Sequence, residues 1–417
     1  MSKLIQLLLG FRSNNVDDAV VIKDMKRLES FCIAFNILPN GFAQDASVTP
    51  SKWTIVKSII YFCIIFANIG HLVLLSVFNL PDQWLHIFGD FFCGHPGRRF
   101  FWLFWLYMSI FGEVLRHFWI YLVKKGHLKT LRLYDTLYTK GFRSQVLLMS
   151  PFYCLKFRFV ANNLAIWWIK VIALLTISLA PILVFISESV SQLPKTPQQF
   201  IYTYCWLFVT YLGLVCALIN LMLTGGLVTI HLAYFYFKAV HVAENVELFA
   251  KKRRSSHKVD YLLMYKATIR EVIQYQNEIE HLNVRFRNWL IFLYLGMSFT
   301  SDFGVYIAAV VHIDHNYLDV FLAIVALNGF ISIGICSYVN GIVLTKMSSY
   351  CKNLRKGTCR LQLDAIVSIK ETDIQDRLVR TDIAFTIGQF LDMTTEIFVI
   401  YLIENISLIM MFTVNFQ

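Results

Sequence analysis

Charged residues are scarce in this sequence. Asp, Glu, Lys and Arg make up 16% of its 417 residues, whereas they make up about 25% of an ordinary soluble domain. Hydrophobic residues account for 57%, and the mean hydropathy is +0.56. This balance excludes a soluble globular domain and predicts an integral membrane protein, with the lipid bilayer as its first partner.

The sequence also lacks the motifs that carry enzyme chemistry. It contains no Gly-rich phosphate loop, no nucleophile elbow and no zinc-ligand spacing. We therefore expect no enzymatic activity, no cofactor and no bound metal. No cleavable signal peptide is expected either, because the apolar run 4–10 is short and no small-residue cleavage site follows it.

The cysteines do not indicate a framework of disulfide bonds. Of nine cysteines, only Cys93 falls in a connection predicted to lie outside the cell. An outer disulfide would require Cys205 to sit high enough in its span to reach Cys93. The sequon Asn405-Ile406-Ser407 lies within an apolar run, so we expect no glycan there.

Long apolar runs are what the sequence does contain, and about 20 such residues cross a bilayer. They predict seven membrane-spanning helices, at 53–78, 100–123, 164–190, 200–240, 288–311, 319–346 and 396–416. The predicted fold class is therefore an all-α integral membrane protein with cytosolic helical extensions. Its predicted parts are 1–52 (cytosolic), 53–240 (spans one to four), 241–287 (a cytosolic helical hairpin), 288–346 (spans five and six), 347–392 (cytosolic, helical) and 393–417 (the last span).

The basic residues that give the net charge of +11 are concentrated in every second connection between the spans. The set 1–52, 124–163, 241–287 and 346–392 holds 31 Lys and Arg residues, whereas the opposite set holds 3. This asymmetry predicts a cytosolic N-terminus and an extracellular C-terminus. It also accounts for the basic charge without nucleic acid, and we expect a multi-pass protein of the plasma membrane.

The second span carries Glu113, Arg116 and His117 on one side of its helix. Glu113 and His117 together are a weak metal-ligand pair. A buried, ion-paired cluster is the commoner outcome for such residues in a membrane.

The last span carries polar residues near its middle and end. Helical spacing places along one face Tyr401, Glu404 or Asn405, Leu408, Met411 or Phe412, and Asn415. The candidate pore-lining residues are Glu404, Asn405, Leu408, Met411, Phe412 and Asn415. A mixed polar and apolar face is typical of a pore lining with a hydrophobic constriction. The alternative is that Glu404 is hydrogen-bonded inside one subunit and has a structural role only.

Aromatic and acidic residues are concentrated in the outer parts of several spans. They indicate a small-molecule pocket with aromatic walls and a few polar groups. The candidate pocket residues are Trp102, Trp105, Glu188, Tyr204, Trp206, Tyr211, Asp302 and Tyr306. For any single one of these aromatics, interfacial or core packing is an alternative role.

In its architecture the sequence resembles the insect gustatory and odorant receptor superfamily, with a long fourth helix and a last helix at the chain terminus. The segment 388–392, read Gly-Gln-Phe-Leu-Asp, is similar to the Gly-x-Phe-x-Asp segment of gustatory receptors. The closing signature of Thr-Tyr, five apolar residues and Gln-Phe is altered. Asn415-Phe416 stand in place of Gln-Phe, and Leu408-Ile409 in place of Thr-Tyr. The sequence is thus identified as a divergent, gustatory-receptor-like member.

This resemblance implies a ligand-gated, non-selective cation channel with a chemosensory role. It implies a homo- or hetero-tetramer whose last spans line a central pore, and an outer-facing pocket for a small-molecule ligand. Two alternatives are a gustatory-receptor-like membrane protein without channel activity and a small-molecule transporter.

Overall fold

The structure is a computed structural model. It describes residues 17–38, 41–42, 52–95, 97–125, 131–190, 197–251, 258–311, 316–358, 372, 376, 386–387, 391–392 and 394–416. The helices are α1 (Asp18–Ala34), α2 (Lys52–Ser76), α3 (Asp82–Ile87), α4 (Arg98–Lys124), α5 (Leu131–Lys140), α6 (Ser144–Leu147), α7 (Pro151–Val190), α8 (Pro197–Lys251), α9 (Lys258–Tyr306), α10 (Asn316–Thr358) and α11 (Thr395–Phe416). A π-helical turn, Ile307–Val311, follows α9.

Within the described residues, five helices are long and apolar enough to cross a membrane. They are α2, α7, α8, α9 with its π-helical turn, and α10. Helix α4 is not among them, and it carries an ion pair, Glu113 and Arg116, together with many aromatic residues. Helix α11 is also not among them, and several of its side chains lie outside the description. The all-helical fold predicted from the sequence is confirmed, whereas seven spans stay a prediction.

Three helices are much longer than a bilayer requires. Helix α8 has 55 residues, α9 has 49 and α10 has 43, so at 1.5 Å per residue each spans about 65 to 80 Å. The boundaries predicted after residues 240, 287 and 346 therefore fall inside continuous helices. The apolar spacing continues past these boundaries, because the parts of the helices that lie beyond them pack on one another.

The last part of α8 (235–251), the first part of α9 (258–287) and the last part of α10 (347–358) pack together in a lobe that we call the helical extension. Buried tyrosines hold it together by donating to backbone carbonyls of neighbouring helices. The Tyr275 hydroxyl donates to the Phe235 carbonyl at 3.1 Å, and the Tyr350 hydroxyl donates to the Ala239 carbonyl at 2.7 Å. The Lys238 ammonium, buried on α8, pairs with Glu278 of α9 at 2.7 Å.

A short hairpin connects this lobe to α11. Strands β1 (Thr386–Ile387) and β2 (Leu391–Asp392) pair antiparallel, with Thr386 opposite Asp392 and Ile387 opposite Leu391. Leu391 and Asp392 end the Gly-x-Phe-x-Asp-like segment, whose first three residues lie outside the described ones. The hairpin therefore stands directly before the candidate pore helix.

Helix α8 lies at the centre of the helical bundle, with α2, α4, α7, α9 and α10 packed around it. Glycine permits α4 to approach α8 closely. A Cβ atom at Gly112 of α4 would lie 3.1 Å from the Ala217 carbonyl oxygen of α8. This core positions the residues considered next.

Candidate functional site

Among the described side chains of α11, those that are buried lie on one side of the helix. Tyr401 and Asn405 are buried on that side. The opposite side carries exposed residues over the whole described length of the helix. They are Glu396, Val399, Ile400, Ile403, Glu404, Ile406, Ser407, Met410, Met411 and Val414. Half of α11 is thus left uncovered by its own chain.

The six candidate pore-lining residues do not share one face. Glu404 and Met411 are exposed, whereas Asn405 is 4% exposed. The side chains of Leu408, Phe412 and Asn415 lie outside the described residues. Consecutive helical residues point about 100° apart, so when Glu404 faces outward Asn405 faces the chain.

Asn405 joins α11 to α9. Its Oδ1 atom accepts a hydrogen bond of 3.1 Å from the Ser298 hydroxyl of α9, and its Nδ2 atom donates to the Tyr401 carbonyl. The Tyr401 ring packs against Tyr294 with centroids 5.1 Å apart. Asn405 therefore has its partners inside the chain, and among the described pore candidates only Glu404 and Met411 face outward.

Two of the eight candidate pocket residues meet at the end of the bundle where the connection between α2 and α4 lies, around a histidine that the sequence reasoning missed. The His71 ring of α2 stacks on Trp206 of α8 with centroids 4.3 Å apart, and the Trp102 ring lies 6.5 Å away. His71 Nε2 lies 2.7 Å from the Phe88 carbonyl oxygen, and Nδ1 lies 3.3 Å from the Thr210 hydroxyl. The sequence signal that could have found His71 is the presence of a polar residue inside the apolar run 53–78.

The connection between α2 and α4 folds over this aromatic group. Asp90 is buried there and accepts hydrogen bonds from Trp102 Nε1 and from the Phe92 backbone N–H, each at 3.0 Å. It also pairs with Arg98. Burial raises the pKa of the Asp90 carboxyl, and the nearby Arg98 guanidinium opposes that shift. This connection closes the outer end of α2, α4 and α8.

The other pocket candidates are spread over separate contacts. Trp105 stacks on Phe321, and the Tyr211 hydroxyl donates to the Thr176 carbonyl at 2.9 Å. Two further ring pairs are Phe200–Tyr204 and Phe100–Tyr306. Asp302 is buried near α11, as described below, and the Glu188 side chain lies outside the described residues. In the described part of the chain, these contacts do not bring the eight candidates together.

An apolar groove lies instead between α7 and α8. Its lining is almost entirely apolar and includes none of the eight candidates. Its lining residues are Ile172, Leu175, Thr176, Leu179, Val215, Leu218, Ile219 and Met222. Tyr211 lies next to it, since this tyrosine bonds to the Thr176 carbonyl.

The cluster on α4 is an ion pair. Arg116 Nε lies 3.1 Å from both carboxylate oxygens of Glu113, and the Arg116 guanidinium lies 4.5 Å from the Tyr61 ring centroid. His117 is largely exposed, with Nδ1 3.2 Å from Glu113. Across the described part of the chain, no group of three or more His, Cys, Asp or Glu residues could hold a metal ion.

Cys93 and Cys205 both carry free thiols. Cys93 lies in the outer connection, with its sulfur 3.8 Å from an Asp82 oxygen. Partial burial raises the pKa of this thiol, and the Asp90 and Asp82 carboxylates add to that effect. The structure therefore contains no bond between these two cysteines.

Comparison with known proteins places this fold. No protein-family model matches the sequence, and no curated protein sequence is similar to it. The structure of the insect olfactory receptor OR5 from Machilis hrabei, determined in complex with eugenol, superposes with a TM-score of 0.59 at 11% sequence identity. The match covers 95% of this chain and 98% of that receptor. The chain therefore has the fold of an insect olfactory receptor, in agreement with the resemblance seen in its sequence.

Proposed function

We propose that this protein is a chemosensory receptor of the gustatory type that acts as a ligand-gated, non-selective cation channel. Four chains would surround a central pore lined by α11, in the plasma membrane, with the N-terminus in the cytosol. The observation that carries this proposal is the uncovered face of α11, on which Glu404 is exposed at mid-helix.

A carboxylate at the middle of an apolar helix is costly against lipid, so it is expected to face protein or water. Within one chain Glu404 is exposed, and among the described residues it forms no ion pair. A symmetric assembly around α11 would remove Glu404 from lipid and gather several carboxylates around an aqueous path. Such a ring favours cations.

The helical extension and the hairpin β1–β2 are suited to hold that assembly together. Leu248 of α8 and Leu263 of α9 are 61% and 60% exposed on the extension. Exposed apolar side chains in water favour contact between subunits. The hairpin then transmits the position of this lobe to the start of α11.

A small molecule is the proposed ligand. The structure offers two regions for it: the apolar groove between α7 and α8, and the aromatic group around His71. Both combine apolar walls with few polar groups, as small-molecule sites do. The OR5 structure was determined with eugenol, a small aromatic compound, which supports this class of ligand here.

Current recordings from cells that express the chain with a panel of small molecules test the channel. Glu404→Gln should keep surface expression but lower the conductance or shift the reversal potential between monovalent and divalent cations. Glu404→Leu should have the larger effect, because it removes the dipole as well as the charge. Glu247→Gln is the matched control, since it removes an exposed carboxylate from the helical extension.

If both Glu404 variants conduct like the parent, α11 does not line the pore and Glu404 has a structural role. If the parent gives no current with any compound, a receptor-like membrane protein without channel activity or a small-molecule transporter becomes the better proposal. Uptake of labelled compounds then separates these two alternatives.

A further inference from the structure

A group of oxygen atoms lies between α9 and α11, behind the uncovered face. Asp302 of α9 is 1% exposed, and Tyr401 of α11 is 3% exposed. Ser298 stands between them: its hydroxyl donates to Asn405 Oδ1 at 3.1 Å and lies beside the Asp302 carboxyl group. The Tyr401 hydroxyl lies near Ser298, Ser301 and Asp302. We call these five residues the oxygen cluster.

Two oxygens of this cluster have no hydrogen-bond partner among the described residues. They are Oδ1 of Asp302 and the hydroxyl of Tyr401. Buried polar groups are almost always hydrogen-bonded, and an unsatisfied one is disfavoured. Two unsatisfied oxygens in one small region therefore indicate an occupant that both of them can bind.

Asp302 also has no positive partner in the described part of the chain, where none of the ion pairs includes it. A buried carboxylate without a counter-charge is strongly disfavoured, so it is paired, neutralised or bound to a cation. A proton on Oδ1 would find no acceptor within hydrogen-bonding distance. It would also leave the Tyr401 hydroxyl unsatisfied.

We propose that the oxygen cluster binds one monovalent alkali cation, of which Na⁺ is the probe. All of its polar side-chain atoms toward the occupant are oxygens, which are the ligands that hard cations prefer. A single carboxylate balances a single positive charge, whereas divalent sites use several carboxylates. A cation binds several oxygens at once, whereas a proton is shared between two at most.

The surroundings of the cluster fit an enclosed site. Tyr294 of α9, Phe330 of α10 and Phe398 of α11 surround the Tyr401 ring, with centroids 5.1, 6.0 and 6.2 Å away. Gly329 closes the α10 side, because a Cβ atom there would lie 2.1 Å from the Ser301 hydroxyl oxygen. Since the ligands come from α9 and α11, the bound cation holds these two helices together.

The test is the melting temperature of the purified full-length protein in NaCl and in N-methyl-D-glucamine chloride, at a matched ionic strength of about 0.15 M. A cation that binds only the folded chain raises its stability. We expect a melting temperature about 2 °C or more higher in Na⁺. No current is measured, so the outcome does not depend on whether the chain is a channel.

Asp302→Asn should remove the Na⁺ increment, because the amide keeps the shape of the side chain but not its charge. Ser298→Ala should reduce the increment and provides a second variant if Asp302→Asn fails to fold. Glu404→Gln is the matched control on α11 and should keep the full increment, since Glu404 is exposed.

An equal Na⁺ increment in Asp302→Asn and the parent would overturn the proposal. A parent whose melting temperature is the same in both salts would also overturn it. If that melting temperature then depended on pH alone, the occupant would be a proton on Asp302. If it depended on neither salt nor pH, the occupant would be a water molecule. Loss of the increment in Glu404→Gln would place the cation at the uncovered face instead.

Discussion

The backbone N–H of Thr386 donates a hydrogen bond of 2.9 Å to the Oδ1 atom of Asn283. The Thr386 hydroxyl lies 3.3 Å from the same atom. Asn283 is buried on α9, where that helix emerges into the helical extension, and Thr386 opens the hairpin before α11. This amide is therefore a direct polar link between the extension and the segment that leads into α11.

Asn283→Ala should weaken that link. The substitution removes the Asn283 acceptor from the Thr386 N–H, at a cost of about 1–3 kcal/mol in the free energy of unfolding. Hydrogen exchange at Thr386 and Ile387 should become faster, and the melting temperature should fall. Asn283→Asp is the matched control because it keeps an acceptor oxygen, and it should protect Thr386 as the parent does. Unchanged exchange in Asn283→Ala would show that the hairpin is held by other contacts.

Leu263 is the position from which to test self-association. Its side chain is 60% exposed on the helical extension, and contact with a second chain would cover it. Leu263→Asp should convert a cross-linkable oligomer into monomers, because burial of a carboxylate in an apolar contact is unfavourable. Gln274→Asp introduces the same charge at an exposed polar position of the same helix and should leave the oligomer intact. An oligomer that survives Leu263→Asp would remove the extension as its interface.

The positions of the long helices could be predicted from the sequence, because apolar runs of about 20 residues or more usually form membrane-spanning helices. The ends of those helices could not. Helices α8, α9 and α10 continue past the predicted boundaries at 240, 287 and 346, and no break in their apolar spacing marks those positions. The hairpin β1–β2 was also missed, since two-residue strands carry no periodicity.

The role of the candidate site stays a prediction, and the sequence alone leaves one part of its geometry open. Glu404 was recognised as an unusual residue, but helical spacing alone could not separate it from Asn405. Which of two adjacent residues faces the chain depends on Ser298, more than 100 positions away. The group formed by His71, Asp90, Arg98 and Trp206 depends in the same way on contacts between distant segments, which a single sequence does not reveal.

The orientation of the chain remains to be tested directly. The excess of Lys and Arg in alternate connections predicts a cytosolic N-terminus. An epitope tag after Ser2 should therefore be stained only after the cells are permeabilised, whereas a tag after Gln417 should be stained on intact cells. Staining of the N-terminal tag on intact cells would contradict this topology and would reverse the positions of the helical extension and the outer connection.

The last prediction concerns acid and the outer connection. Burial raises the pKa of the Asp90 carboxyl above its ordinary value of 3.8, so the folded chain holds this proton more tightly than the unfolded chain does. The stabilisation that this tighter proton binding gives to the folded chain is therefore complete below pH 3.8. It is lost as the pH rises through the raised pKa of Asp90 in the folded state.

Melting temperatures of the parent and of Asp90→Asn, measured from about pH 3.5 to pH 7, isolate this contribution, because all other groups are shared. The stability of the parent relative to Asp90→Asn should decrease as the pH rises through that range. Asp82→Asn removes an exposed carboxylate from the same outer connection and gives the effect of losing one charge there. A constant difference between the parent and Asp90→Asn would mean that Arg98, Trp102 and the Phe92 N–H together offset the burial of the carboxylate in full.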